Sequence, residues 1–159
     1  MTDRPGVTTA IDIAAPPSRV LTWLLHAPAF PLWVVGPGRV VQVDGEWPSP
    51  DAGFTHETGR GPLHYRDRTI LREFDAGAGR VVLEAMVRPL GLALIQLHVT
   101  DSPGGSRLVM HERPLGGPAA RLPTALYRPT LLVRNRIAMQ RLRRLVENGP
   151  LAQPSGELP

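Results

Sequence analysis

Residues 129–147 read PTLLVRNRIAMQRLRRLVE, and they carry the strongest structural signal in the chain. At 100° per residue the apolar side chains fall on one face of a helix, while most arginines fall off it. That apolar face comprises Leu131, Ala138, Met139, Leu142, Leu145 and Val146. The pattern predicts a helix from about Pro129 to Glu147, roughly 28 Å long. Asn148-Gly149-Pro150 is a typical helix stop.

The preceding residues, from Ala119 onward, are also helical in pattern. However, proline disfavours the α conformation in the residue before it, so Pro129 predicts a break or kink near Arg128. Upstream of Gly116-Gly117-Pro118 the period changes to two, which is typical of strands. Six strands are predicted there, at residues 39–43, 54–58, 65–74, 80–87, 92–100 and 106–113.

Short links rich in glycine, proline and aspartate separate these strands, so successive strands are predicted to be antiparallel neighbours. A first strand over Val7–Ile13 and a short helix from about Pro17 to His26 come before them. The sheet must cover its apolar face, and the last helix is the only predicted element long enough to do so. We therefore expect an α+β fold in which a curved antiparallel sheet of about seven strands wraps around a long C-terminal helix.

The composition is that of one globular domain, which we place at residues 1–148, with a disordered tail at 149–159. Of the 159 residues, 42% are hydrophobic and 20% are charged, which is enough for a core and too little charge for a disordered polymer. The absence of cysteine excludes disulfides and thiolate metal sites. No apolar run is long enough to span a membrane, and the N-terminus lacks a signal-peptide layout, so we expect a cytoplasmic protein.

All 18 basic residues are arginine, and the formal net charge is only +4. A composition rich in arginine, alanine, glycine and proline without lysine is typical of a high-GC bacterial gene. Only Arg141, Arg143 and Arg144 cluster, so nucleic-acid binding is not expected. This cluster could contact an anionic membrane surface or an acidic partner weakly, although a charged helix face is more often simply solvated.

The element order and several short motifs resemble the START-related superfamily, also called the SRPBCC or helix-grip superfamily, and in particular its polyketide cyclase/dehydrase-like branch. The resemblance spans roughly Val7 to Glu147. The similar segments are Ala15-Pro16-Pro17-Ser18-Arg19-Val20 at the first helix, Pro31-Leu32-Trp33 after it, Trp47-Pro48 with Gly53, residues 106–112 as the final strand and residues 134–142 in the closing helix. The resemblance implies a hydrophobic cavity between sheet and helix. It implies no single activity, because the superfamily contains cyclases, hydrolase-like enzymes, carriers and ligand sensors.

Asn135 lies at the centre of the apolar face of the last helix, where an unpaired amide costs on the order of 1–3 kcal/mol. It could point into the cavity and bond a ligand carbonyl or hydroxyl group. It could instead bond a group of the sheet and set the register of the helix.

Two carboxylates are candidate general acids or bases. Strand alternation predicts that Glu112 faces the cavity near its rim and that Asp67 faces inward on an earlier strand. For Glu112 the alternative is an ion pair with Arg113, Arg121 or Arg128.

The other predicted ligand contacts are aromatic and apolar residues together with two polar ones. His56 occupies an inward strand position and is a candidate proton carrier. Aromatic side chains commonly line apolar pockets, although they are more often plain core. The remaining predicted contacts are Trp33, Trp47, Phe54, Thr69, Met110, Tyr127, Leu131 and Met139. No two histidines share a close metal-ligand spacing, so neither a metal nor another cofactor is predicted.

Two main functions follow from these expectations. The first is the binding of a small hydrophobic metabolite, such as a lipid, a quinone or a polyketide-like molecule. The alternative is a polyketide cyclase or dehydratase, with Glu112 and Asp67 as acid/base residues and Asn135 polarising a carbonyl group.

Overall fold

The computed structural model describes residues 5–151 and builds them from seven strands and three α-helices. The strands are β1 (Val7–Ile13), β2 (Pro37–Val43), β3 (Gly53–Thr58), β4 (Tyr65–Asp75), β5 (Arg80–Val87), β6 (Gly91–Ser102) and β7 (Gly105–Gly116). The α-helices are α1 (Pro17–Leu25), α2 (Phe30–Trp33) and α3 (Thr124–Asn148), and short 3-10 helices cover Ala27–Ala29, Gly61–Leu63 and Pro118–Arg121. No helix within residues 5–151 combines the length and the apolar character needed to cross a lipid bilayer.

All seven strands belong to one antiparallel sheet with the order β1-β7-β6-β5-β4-β3-β2. The first strand pairs with the last, so that Val7 lies opposite Glu112 and Ile13 lies opposite Ser106. Register shifts interrupt the β2–β3, β4–β5 and β6–β7 ladders, and such bulges bend a sheet. The predicted fold class, a curved sheet around a long C-terminal helix, is confirmed.

The core lies between the sheet and α3, with α1 closing one end. Helix α3 buries Ala138, Met139, Leu142 and Val146, while the facing strands contribute buried leucines such as Leu108. Two hydrogen bonds fix α3 alongside β1: one from the Tyr127 hydroxyl to the Pro5 carbonyl, at 2.8 Å, and one from the Ala14 N–H to the Glu147 carboxylate, at 2.9 Å. The helix therefore lies along the sheet in a single fixed register.

The predicted break near Arg128 is wrong, because α3 runs without interruption from Thr124 to Asn148 with Pro129 inside it. Pro129 is only the sixth residue of the helix. The N–H groups of the first turn have no acceptor within a helix in any case, so this proline removes one further bond, toward Ala125, close to the helix end.

The C-terminal end of α3 is bound to α1 through Arg19. Its guanidinium donates to the carbonyl oxygens of Val146, Gly149 and Leu151 at 2.5, 2.8 and 2.8 Å. A cation is favourable there because the last carbonyls of a helix lack partners and carry partial negative charge. Of the predicted tail, residues 149–151 are thus held by Arg19, and residues 152–159 lie outside the described residues.

Candidate functional site

A cavity of about 270 Å³, called here the large cavity, lies between the first half of α3 and the adjoining ends of β5, β6 and β7. Its walls are mostly apolar, and they include Leu90, Leu92, Pro114, Ala119 and Leu131. Pockets for small molecules usually measure about 300–1,000 Å³, so this cavity suits a ligand at the small end of that range.

Two glycines hold the wall of the large cavity together where the β5–β6 turn meets the residues after β7. Gly91 has a φ of +119°, and a Cβ atom there would lie 2.1 Å from the Gly116 carbonyl oxygen. Gly117 has a φ of +85°, and its Cβ would lie 2.6 Å from Gly91 Cα. Only glycine allows these positive φ angles and this close contact between the two backbones. The β5–β6 turn can therefore pack against the residues after β7, which places Leu90 beside Ala119.

A second, small cavity of about 50 Å³ lies between the link after α2 and the inner faces of β3, β4 and β5. Its lining is more polar, since it includes His56, Thr58 and Asp67. Val87, Glu112 and Arg134 line both cavities. The two cavities therefore adjoin at the Glu112–Arg134 pair.

Glu112 and Arg134 form an ion pair in which guanidinium Nη2 donates to carboxylate Oε1. The Glu112 side chain is 4% exposed and that of Arg134 is 24% exposed. An ion pair of Glu112 was expected as one alternative, but with a different arginine. Arg134 is the partner because it follows Leu131 by three residues, which places both side chains on the cavity side of α3.

The small cavity contains a second buried carboxylate, Asp67, whose side chain is fully buried. Arg88 donates to it twice, from Nε to Oδ1 at 2.8 Å and from the backbone N–H to Oδ2 at 3.2 Å. Within residues 5–151 no group of three or more histidine, aspartate or glutamate side chains could hold a metal ion.

His56 is the direct cross-strand neighbour of Asp67. Its two ring nitrogens lie 3.3 Å from the hydroxyl groups of Thr58 and Thr69. Burial lowers the pKa of His56, and the negative charge of Asp67 opposes that shift only in part. His56 is therefore a neutral imidazole at pH 7 and can accept a proton.

The lowered pKa of His56 predicts a pH dependence of stability. Because the folded-state pKa lies below the ordinary 6.5, the unfolded chain binds the proton more readily. The stability that the fold gains by keeping His56 neutral is complete above about pH 6.5 and is lost as the pH falls toward the folded-state pKa. His56→Gln should thus reduce the dependence of the free energy of unfolding on pH between about pH 7 and pH 5, as measured in urea titrations. A pH profile as steep in His56→Gln as in the unsubstituted protein would contradict this prediction.

Five of the predicted site residues line the cavities: Glu112, Asp67, His56, Tyr127 and Leu131. Seven others line neither cavity: Trp33, Trp47, Phe54, Thr69, Met110, Asn135 and Met139. The three aromatic residues among these seven belong to a packed cluster with Phe30, which itself lines the small cavity. In that cluster the ring of Phe54 makes edge contacts with the rings of Phe30 and Trp47, with centroids 4.8 and 5.1 Å apart.

Asn135 is 2% exposed, and its Nδ2 has no hydrogen-bond partner among the described residues. Both interpretations of this residue from the sequence therefore stay predictions. The charged residue of α3 that lines the cavities is its neighbour Arg134.

Sequence reasoning missed Arg134 as a site residue, although the charge distribution contains a signal. Residues 113–146 hold eight arginines and no carboxylate. A carboxylate predicted to face inward at position 112 therefore has several possible arginine partners in the segment that follows it. The apolar lining from Leu90, Leu92 and Ala119 carried no comparable signal, because turns and strand ends do not reveal which cavity they border.

No protein-family model matches this chain, and no curated protein matches it either. Solved structures do share its fold. Ara h 8.0201 aligns over 89% of this chain and 97% of its own, with a TM-score of 0.68 and 11% identity. Protein CV1439 from Chromobacterium violaceum aligns over 91% and 99%, with a TM-score of 0.65 and 16% identity.

DynU16, a protein of the dynemicin biosynthetic locus, aligns over 92% of this chain but 48% of its own length, with a TM-score of 0.66 and 14% identity. At such identities the likeness shows the fold alone. The fold that the resemblance implied, a curved antiparallel sheet around a long C-terminal helix, is therefore shared with these solved structures.

Proposed function

We propose that this protein binds a small, largely apolar molecule, such as a lipid, a quinone or a polyketide-like compound, in the adjoining cavities under α3. A cytoplasmic location is part of the proposal. The observation that carries it is the 270 Å³ cavity, whose walls are mostly apolar and whose charged lining residues are the paired Glu112 and Arg134. Such a cavity with a few convergent polar groups is the usual form of a small-molecule site.

The two cavities suggest how the ligand is oriented. Its apolar part lies in the large cavity against Leu92 and Leu131, where burial contributes about 25 cal/mol per Å² of apolar surface removed from water. Its polar group lies at the Glu112–Arg134 pair, because an unpaired polar group elsewhere against the apolar wall would lose its hydrogen bonds to water.

Filling the large cavity should weaken binding. In Leu131→Trp the indole ring occupies the ligand volume, and the affinity for the neutral fluorescent probe N-phenylnaphthylamine should fall by about tenfold or more, which is 1.4 kcal/mol. Val133→Trp is the matched control, because Val133 is 56% exposed on the outer face of the same helix. Fluorescence titration measures both affinities. The proposal is contradicted if the unsubstituted protein does not bind the probe, or if Leu131→Trp binds it as tightly as Val133→Trp does.

A second candidate function is proton transfer to or from the bound molecule, as in a polyketide cyclase or dehydratase. It is favoured by the neutral imidazole of His56 on the small cavity and by the Glu112 carboxylate on both cavities. The occurrence of DynU16 in a biosynthetic locus is consistent with it. Asp67 is a weaker candidate acid or base, because Arg88 occupies both of its oxygens.

The enzyme candidate can be tested by hydrogen exchange. A β-diketone in deuterated buffer should exchange its acidic methylene protons faster with the protein than without it. Glu112→Gln should remove that acceleration while N-phenylnaphthylamine still binds, and NMR follows the exchange. Equal acceleration by both proteins would exclude Glu112 as the catalytic residue.

A further inference from the structure

The charges that face the two cavities cancel. Within residues 5–151, three of the residues that line the cavities carry a charge: Glu112, Arg134 and Asp67. Glu112 is paired with Arg134, and Asp67 is paired with Arg88 at 2.8 Å. Every charged side chain that lines a cavity is thus matched by an opposite charge. A bound molecule therefore faces a site whose lining charges cancel, with the Glu112–Arg134 pair as the charged group that both cavities share.

The Glu112–Arg134 pair retains hydrogen-bonding capacity. A guanidinium has five N–H donors and a carboxylate has two acceptor oxygens, whereas the recorded contact joins one nitrogen to one oxygen. Both side chains line both cavities. The pair therefore presents a donor and an acceptor side by side to whatever occupies the space between α3 and the sheet.

From these observations we infer that the site selects a neutral molecule carrying a hydroxyl group next to a carbonyl group, and that Glu112 excludes free acids. The inference rests on the proposed function and names the ligand class. The carbonyl oxygen accepts from Arg134, and the adjacent hydroxyl donates to Glu112. A carboxylic acid ligand would have to bring its negative charge out of water to a place where Glu112 already neutralises the guanidinium.

Exclusion by Glu112 predicts a reversal of selectivity in Glu112→Gln. This substitution keeps the size of the side chain and its ability to hydrogen-bond, but it removes the charge that offsets Arg134. The guanidinium is then free to bind a carboxylate, and charge-assisted hydrogen bonds of that kind are about twice as strong as neutral ones.

The experiment compares two competitors of N-phenylnaphthylamine: decanoate, and the acyloin (an α-hydroxy ketone) with the same ten-carbon chain. The unsubstituted protein should bind the acyloin at least about tenfold more tightly than decanoate, and in Glu112→Gln decanoate should gain about tenfold or more. Glu73→Gln is the matched control, since Glu73 pairs with Arg80 at the surface and lines neither cavity. It should leave both affinities unchanged.

The outcomes separate this inference from the proposed function. If the unsubstituted protein binds the probe but binds decanoate as tightly as the acyloin, the selectivity is overturned while a ligand-binding cavity stands. If the acyloin is preferred and Glu112→Gln does not shift the preference, Glu112 is not the selecting residue. If the probe does not bind at all, the proposed function itself fails. The comparison in the unsubstituted protein does not depend on the folding of any variant.

Discussion

Leu142→Ala is expected to lower the free energy of unfolding by about 3–5 kcal/mol, the range typical of a leucine truncated in a well-packed core. Leu142 has no exposed surface and lies on the face of α3 that the sheet encloses. The truncation removes apolar contacts on several sides, and the surrounding strands cannot move inward without breaking their ladders. Urea denaturation followed by circular dichroism measures the loss.

Leu126→Ala provides the matched control, because Leu126 lies in the same helix and is 65% exposed. Both substitutions replace leucine with a slightly better helix former, so the difference between them reports burial alone. The control should change the free energy of unfolding by less than about 0.5 kcal/mol. Equal losses in the two variants would contradict the placement of α3 within the curved sheet.

The sequence was sufficient for the elements of the fold because their signals are local. The predicted strands at 7–13 and 80–87 coincide with β1 and β5, since alternation and flanking turn residues mark their ends. The prediction of a break at Pro129 failed, because the cost of a proline depends on how far it lies from the helix start. That start, at Thr124, was not evident from the pattern.

The cavity was harder to predict than the fold, because cavity walls and packed core have the same apolar composition. Trp47 and Phe54 were expected to wall the ligand site, yet they pack against one another. Helical periodicity identified Asn135 as the centre of the buried face. The cavity, however, lies at the edge of that face, where the long side chain of Arg134 reaches Glu112. Such a contact depends on the register between helix and sheet, which no local pattern encodes.

Arg134→Met is expected to lower the free energy of unfolding by about 2–4 kcal/mol, because it leaves the Glu112 carboxylate without its counter-charge. Breaking a fully buried pair costs about 3–5 kcal/mol, and the smaller value allows for the partial exposure of Arg134 toward the cavities. Arg80→Met breaks the exposed pair with Glu73, where both side chains are 48% exposed, and should cost less than about 1 kcal/mol. Urea denaturation of both variants makes the comparison.

The double variant Glu112→Met/Arg134→Met should regain most of the stability lost in Arg134→Met, because neither partner then carries a charge in the apolar surroundings. The two changes should consequently be strongly non-additive in a double-mutant cycle, as expected for residues in direct contact. Additive losses would mean that Glu112 is adequately solvated without Arg134. In that case the pair would not neutralise the cavity, and the basis for excluding an acidic ligand would be lost. If the double variant instead regains its stability but no longer discriminates decanoate from the ten-carbon acyloin, the same two side chains are responsible for both stability and selectivity.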